Sequence, residues 1–252
     1  MEKAKLGVLI LHGWTSGMST VNRLQDPIQA LGLPTRMPIL RGHGASSPEA
    51  LNGVRWEDWV DDATAALDEL VTEVKKVVIV GHSMGGMLAL HLAAVHPQGI
   101  DSIVTAGTPG KMATPFAPGN MLHPLFCLIH PLIKKYDKGT LKYADPSIEK
   151  LDDSYRWAPV SAIKELFDLL KVQRGLLPDV KVPALILQST SDTTALPGSA
   201  NIIFDRIATP VEDKRIEWFE KTEHGMFQDV ESGQVIKTVI DFIGERMKNE
   251  HE

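Results

Sequence analysis

The segment Val80-Gly81-His82-Ser83-Met84-Gly85-Gly86 holds the pattern G-x-S-x-G between an apolar run and a stretch rich in glycine, alanine and leucine. The run 77–80 is β-branched and predicts a strand, whereas 84–95 predicts a helix pressed against a sheet. In a sharp turn from strand to helix, the central serine adopts a strained backbone conformation and projects above the sheet. Larger side chains at positions 81 and 85 would collide with the neighbouring strand and helix. The pattern therefore predicts a nucleophile at Ser83, and the alternative is a glycine-rich turn with an incidental serine.

Predicted strands and helices alternate on both sides of this turn. Apolar runs without polar alternation predict strands that are covered on both faces, which is typical of a parallel sheet. The predicted strands are 6–11, 35–39, 77–80, 103–105, 184–187 and 215–218, and the predicted helices include 56–74, 84–95, 199–207 and 234–247. This alternation predicts a doubly wound α/β fold, with a mostly parallel six-stranded sheet flanked by helices.

The stretch from about residue 111 to residue 180 interrupts the alternation. It contains many prolines and helical pieces such as 160–170, but no clear strand. We interpret residues 1–252 as a single domain and approximately 111–180 as a small cap inserted in it. The apolar residues of this cap suit an acyl chain or an aromatic group, although packing of the cap onto the domain explains them equally well. They are Phe116, Met121, Leu122, Leu125, Phe126, Leu128, Ile129, Leu132 and Ile133.

Composition excludes several classes of protein. With 26 Lys and Arg against 32 Asp and Glu in 252 residues, the net charge is −6, so no nucleic-acid partner is expected. The single cysteine, Cys127, cannot form an intramolecular disulfide. Neither a signal peptide nor an apolar membrane span is recognisable, and we expect a cytoplasmic protein without stable membrane insertion. No metal-binding signature occurs, and the oligomeric state cannot be read from the sequence.

A serine nucleophile needs a base and an acid from elsewhere in the chain. His224 follows the last predicted strand and Asp192 follows the strand 184–187, so both fall at the sheet edge where open α/β folds place their ligands. Asp179 and Asp213 precede strands, and Asp205 lies on a helix. The other histidines lie inside the turn (His82), in loops near it (His12, His43), behind it (His91, His96), in the cap (His123, His130) or in the C-terminal tail (His251). We therefore expect a catalytic triad of Ser83, Asp192 and His224.

The turn after the first strand predicts an oxyanion hole. The pair His12-Gly13 allows the next backbone N–H, that of Trp14, to face the serine, and the second donor is the N–H of Met84. Losing one such donor typically costs about 100- to 1,000-fold in rate.

With these motifs, the sequence resembles the bacterial carboxylesterases and monoacylglycerol lipases of the α/β-hydrolase superfamily. The matching segments are 11–15, 40–44, 56–59, 80–86, 199–203 and 223–225, which together span nearly the whole chain. The resemblance implies the α/β-hydrolase fold and the roles given above for the triad and for Trp14 and Met84. It implies hydrolysis of a small-molecule ester without a cofactor or a metal. The apolar residues of the cap favour short- to medium-chain acyl esters, including monoacylglycerols, over charged substrates. The alternatives are a lactonase, a C–C hydrolase or a perhydrolase with the same triad, or a ligand-binding protein without catalysis.

Overall fold

Six parallel strands form the central sheet in the computed structural model, which describes residues 3–249. In chain order the strands of this sheet are β1 (Ala4–Leu11), β2 (Thr35–Arg36), β3 (Val74–His82), β4 (Ile100–Ala106), β7 (Ala184–Ser189) and β8 (Lys214–Phe219). They lie in the order β2-β1-β3-β4-β7-β8, and every neighbouring pair is parallel. The predicted fold class is therefore confirmed, and the carboxyl ends of these strands share one edge.

Helices cover both faces of the sheet because side chains of each strand alternate between two apolar cores. The helices are α1 (Gln25–Gln29), α2 (Trp56–Glu73), α3 (Met84–Val95), α4 (His123–Ile129), α5 (Val160–Leu176), α6 (Gly198–Arg206) and α7 (Ser232–Asn249). Leu9 and Ile79 face the core formed with α2, α3, α5 and α6, whereas Val8 and Val78 face the core formed with α1 and α7. Among residues 3–249, no helix has the length and apolar character needed to cross a lipid bilayer.

The predicted strand 35–39 is too long. Only Thr35–Arg36 pairs with β1, through Val8 and Leu9. This strand lies at the sheet edge, and Pro38 has no N–H to donate to a ladder, so the pairing ends before it.

The chain between β4 and β7, residues 107–183, is here called the inter-strand segment. The expectation that it lacks strands is wrong, because β5 (Lys135–Asp137) and β6 (Trp157–Pro159) form an antiparallel pair. Each strand has only three residues, and they are far apart in sequence, so local periodicity gives no signal for them. Helix α5 joins the inter-strand segment to the sheet. Its Leu169 and Leu170 pack in the core formed with α2, α3 and α6, whereas its Phe167 belongs to a small separate cluster with Phe126.

Candidate active site

Ser83 lies in a sharp turn between β3 and α3. Its backbone has φ 52° and ψ −114°, a positive φ that is uncommon for a residue with a side chain. The Ser83 N–H donates to the carbonyl of Ala106 at 2.8 Å. A methyl group on Gly81 would overlap the carbonyl of Gly85, and one on Gly85 would overlap that of Leu11. The two glycines thus allow β1, β3 and α3 to approach closely enough to hold the turn.

The side chains of Ser83, His224 and Asp192 form a continuous hydrogen-bonded chain. His224 Nε2 lies 2.9 Å from Ser83 Oγ, and His224 Nδ1 lies 2.8 Å from Asp192 Oδ2. Ser83 follows β3, Asp192 follows β7 and His224 follows β8, so the sheet edge brings together residues up to 141 positions apart. All three residues are buried.

The Asp192 carboxyl is held in its ionised form. Burial by itself raises its pKa, but the neighbouring His224 and hydrogen bonds from His224 and from the N–H groups of Thr194 and Ala195 outweigh it, so the pKa lies below its usual value. The two N–H groups donate to Asp192 Oδ1 at 2.8 Å and 2.9 Å. An ionised Asp192 accepts a hydrogen bond from the Nδ1–H of His224, which leaves Nε2 free to accept the Ser83 hydroxyl proton.

Gly107 lies directly against the Asp192–His224 pair and was not singled out by the sequence. Its φ is +54°, and a methyl group there would lie 3.3 Å from Asp192 Oδ2 and 3.4 Å from His224 Nδ1. The available signal was a glycine just beyond the predicted strand 103–105, at the same sheet edge as the three side chains.

The loop after β1 passes beside Ser83. A methyl group on Gly13 would lie 3.4 Å from the Cβ of Ser83. The Gly13 carbonyl accepts hydrogen bonds from His12 Nδ1 at 2.9 Å and from Ser16 Oγ at 2.8 Å. In a trans peptide the following N–H, that of Trp14, points the opposite way from this carbonyl. Among the loop and turn hydrogen bonds of the described residues, none uses the N–H of Trp14 or that of Met84, the first residue of α3.

Three buried histidines support these loops in neutral form. The N–H of Leu40 donates to His12 Nε2 at 3.1 Å, so the His12 proton is on Nδ1. His82 Nε2 donates to the His224 carbonyl at 2.8 Å and so supports the loop that carries His224. Burial, helped by the charge of a neighbouring histidine, lowers the pKa of His82 and of His43 to about 3; the neighbour is His224 for His82 and His12 for His43. The sequence analysis places His82 in the turn but does not predict its hydrogen bond to the His224 carbonyl.

A pocket of about 410 Å³ opens onto Ser83 and His224 and is lined mainly by the inter-strand segment. Of the nine apolar residues singled out there, four line the pocket: Phe116, Phe126, Ile129 and Ile133. Four others are exposed, namely Met121, Leu125, Leu128 and Leu132. Within residues 3–249, no cluster of three or more His, Cys, Asp or Glu side chains is arranged to hold a metal ion.

Comparison with known proteins places this chain among hydrolases. A thermostable monoacylglycerol lipase of Bacillus sp. (strain H-257) is 27% identical over 243 residues, covering 96% of this chain and 91% of that one. A carboxylesterase of Bacillus subtilis (strain 168) is 25% identical over 240 residues, covering 94% and 91%. A solved structure from work on two metagenome-derived lipolytic enzymes, LipS and LipT, has a TM-score of 0.86 at 25% identity, covering 96% of this chain and 95% of that one.

These relatives support a hydrolase of the esterase class. The family model described as serine aminopeptidase, S33, matches residues 2–231. The chain therefore belongs to this serine aminopeptidase S33 family, within the α/β-hydrolase superfamily.

Proposed function

We propose that the protein hydrolyses carboxylic esters through an acyl-enzyme on Ser83. The observation that carries this proposal is the hydrogen-bonded chain from Asp192 through His224 to Ser83 Oγ, with both contacts shorter than 3 Å. Serine by itself is a weak nucleophile at neutral pH, and an oriented imidazole makes it reactive.

The reaction follows from this arrangement. His224 Nε2 takes the hydroxyl proton as Ser83 Oγ attacks the ester carbonyl, and Asp192 stabilises the charged imidazole. The N–H groups of Trp14 and Met84 donate to the oxygen that becomes negative. His224 then protonates the leaving alcohol. Water, activated by His224 in the same way, attacks the acyl-enzyme. The bond between the acyl group and Ser83 Oγ then breaks, which releases the carboxylic acid and regenerates the Ser83 hydroxyl.

The substrates we propose are short- to medium-chain acyl esters, including monoacylglycerols. The aromatic and aliphatic wall of the pocket supports an acyl chain, and the names of the two Bacillus relatives support the same class. We propose that approximately residues 111–180 act as a cap within the single domain 1–252 and select the substrate. The cytoplasmic location stays a prediction.

The pocket favours an ester over the N-terminus of a peptide, although the family description names an aminopeptidase. A free peptide N-terminus is a cation and calls for a carboxylate in the pocket. Among the described residues that line the pocket, the only formally charged ones are Lys138 and Lys142. Their charge repels an N-terminal ammonium group.

The test is turnover by wild type and Ser83→Ala on p-nitrophenyl esters, monoacylglycerols, lactones, vinylogous ketones and aminoacyl p-nitroanilides. We expect hydrolysis of the esters, and a loss in kcat near a million-fold in Ser83→Ala, as in comparable triads. Circular dichroism serves as the control that the variant is folded. Residual ester activity within about tenfold of wild type would discredit Ser83 as nucleophile. Turnover confined to lactones or vinylogous ketones would favour those alternatives, and a folded wild type inert on the whole panel would favour a binding protein.

A further inference from the structure

The charge inside the pocket is opposite to the charge of the whole chain. The protein carries a net charge of −6, yet no aspartate or glutamate lines the pocket among the described residues. Lys138 and Lys142 line it together with the apolar wall and with Ser83 and His224. An anion that enters this pocket therefore meets positive charge and no carboxylate in the lining.

Neither lysine forms an ion pair with another residue that the structure describes. Among residues 3–249, no carboxylate lies within ion-pair distance of Lys138 or Lys142, whereas the neighbouring Lys135 pairs with Glu49 at 3.2 Å. Lys138 is half-buried, whereas Lys142 is exposed. Burial lowers the pKa of Lys138, and the more distant charges of Asp152 and Asp137 partly oppose that effect. A partly buried ammonium group without a partner gains free energy from a bound anion.

The loop that carries these lysines is fixed to the loop that carries His224. The ring of Tyr143, next to Lys142, packs so closely on Gly225 that a methyl group there would overlap it. Tyr143 Oη donates to Gln228 Oε1 at 2.8 Å.

Asp229 adds a second tie between the two loops. Its Oδ2 accepts from the N–H of Ala144 at 2.9 Å and from the N–H of Glu223 at 2.7 Å. The backbone next to Lys142 is therefore held at a defined place relative to the loop that carries His224, and such fixed geometry favours selection of a substrate.

We propose that Lys138 and Lys142 form a subsite for an anionic group on the ester substrate. On this account the preferred substrate has an apolar chain that contacts the Phe116 and Phe126 side of the pocket and ends in a carboxylate or a phosphate. The inference rests on the proposed ester hydrolysis at Ser83, and it narrows the substrate class from neutral acyl esters to esters with an anionic end.

The test compares esters of equal length with and without the anion. Monoethyl adipate against ethyl hexanoate places a carboxylate on the acyl arm, and 6-acetoxyhexanoate against hexyl acetate places it on the alcohol arm. The ester 6-acetoxyhexyl phosphate tests a phosphate in place of the carboxylate, because the ammonium group of lysine acts as a point charge and binds either anion. We expect kcat/KM for at least one anionic ester to exceed that of its neutral partner by about tenfold or more, the range of a charged hydrogen bond.

The variants Lys138→Met, Lys142→Met and the double variant separate charge from folding. We expect the double variant to lose the preference, with kcat/KM falling by about tenfold or more for the anionic ester and by much less for its neutral partner. Lys150→Met, an exposed lysine of the same segment outside the pocket lining, is the matched control and should keep the preference. Raising the salt concentration should weaken the preference in wild type and not in the double variant.

The outcomes distinguish failure of the anionic subsite from failure of the proposed ester hydrolysis. A preference on either arm, for carboxylate or for phosphate, that disappears in the double variant supports the subsite and identifies its ligand. Equal kcat/KM for neutral and anionic esters in wild type, or an equal loss of both in the double variant, overturns the subsite while ester hydrolysis stands. Absence of all ester hydrolysis would instead refute the proposed function.

Discussion

At the scale of single residues, the site depends on backbone positions as much as on the three reacting side chains. Ser83 has a positive φ because the close approach of β1, β3 and α3 imposes the turn. Gly107 has a positive φ as well, and its missing side chain leaves room for the Asp192–His224 contact.

Gly107→Ala should therefore lower kcat by about tenfold or more and reduce the free energy of unfolding by about 1–3 kcal/mol, since its methyl group crowds the Asp192–His224 pair at a strained φ. Ester kinetics and denaturant unfolding measure the two effects. Gly53→Ala is the matched control, because Gly53 has φ +78° with nothing within 4 Å of the added methyl group. It should lose similar stability and keep its kcat. Unchanged kinetics in Gly107→Ala would show that this contact does not matter.

At the scale of elements, the inter-strand segment holds the loop beside Ser83. Asp153 Oδ1 accepts from the N–H of Gly17 at 2.9 Å, and its Oδ2 accepts from the N–H of Ser19 at 3.3 Å. The N–H of Tyr155 donates to the carbonyl of Thr15 at 2.9 Å, and Thr15 has φ 63°. The loop that carries Trp14 is therefore tied to the segment that lines the pocket.

Asp153→Ala should lower kcat by about tenfold with a smaller change in KM, because the released loop no longer fixes the Trp14 N–H for the transition state. Steady-state kinetics on one ester give the split between kcat and KM. The control is Asp152→Ala, which removes a carboxylate that accepts, from the described residues, only the N–H of Ser154. Equal kinetics for the two variants would argue against a role for this contact.

The elements also show where sequence reasoning succeeds. Most strands of the six-stranded sheet and the helices at 56–74 and 84–95 could be predicted because their apolar patterns are local and helices cover both faces of the sheet. Positions 192 and 224 follow from their place after strands. The contacts of Asp153 and of Tyr143 could not be predicted, because they join loops about 85 to 136 positions apart without any periodic pattern.

At the scale of the whole molecule, buried histidines make stability depend on pH. The pKa of His43 and His82 falls from 6.5 to about 3 on folding, chiefly by burial. As pH falls below about 6.5, the unfolded chain takes up these protons before the folded one does. The stabilisation is therefore complete above that pH and declines down to about pH 3.

We expect the free energy of unfolding to drop between pH 7.5 and pH 5 by about 2 kcal/mol for each of these histidines. His43→Asn, whose amide can still donate to the Arg41 carbonyl, should reduce this drop by about one histidine's share. Urea unfolding of wild type and variant at both pH values measures this drop. At pH 7.5, the difference between their free energies of unfolding gives the cost of the altered packing alone. An identical drop in wild type and variant would mean that His43 is not protonated preferentially in the unfolded chain.

The most direct measurement is mass spectrometry of the folded protein after treatment with a fluorophosphonate. The account predicts one adduct per chain, located on the peptide that contains Ser83, and a strongly reduced labelling rate in His224→Ala. Wild type that stays unlabelled while folded, or an adduct on another residue with Ser83 unmodified, would contradict the claim that Asp192, His224 and Ser83 act together.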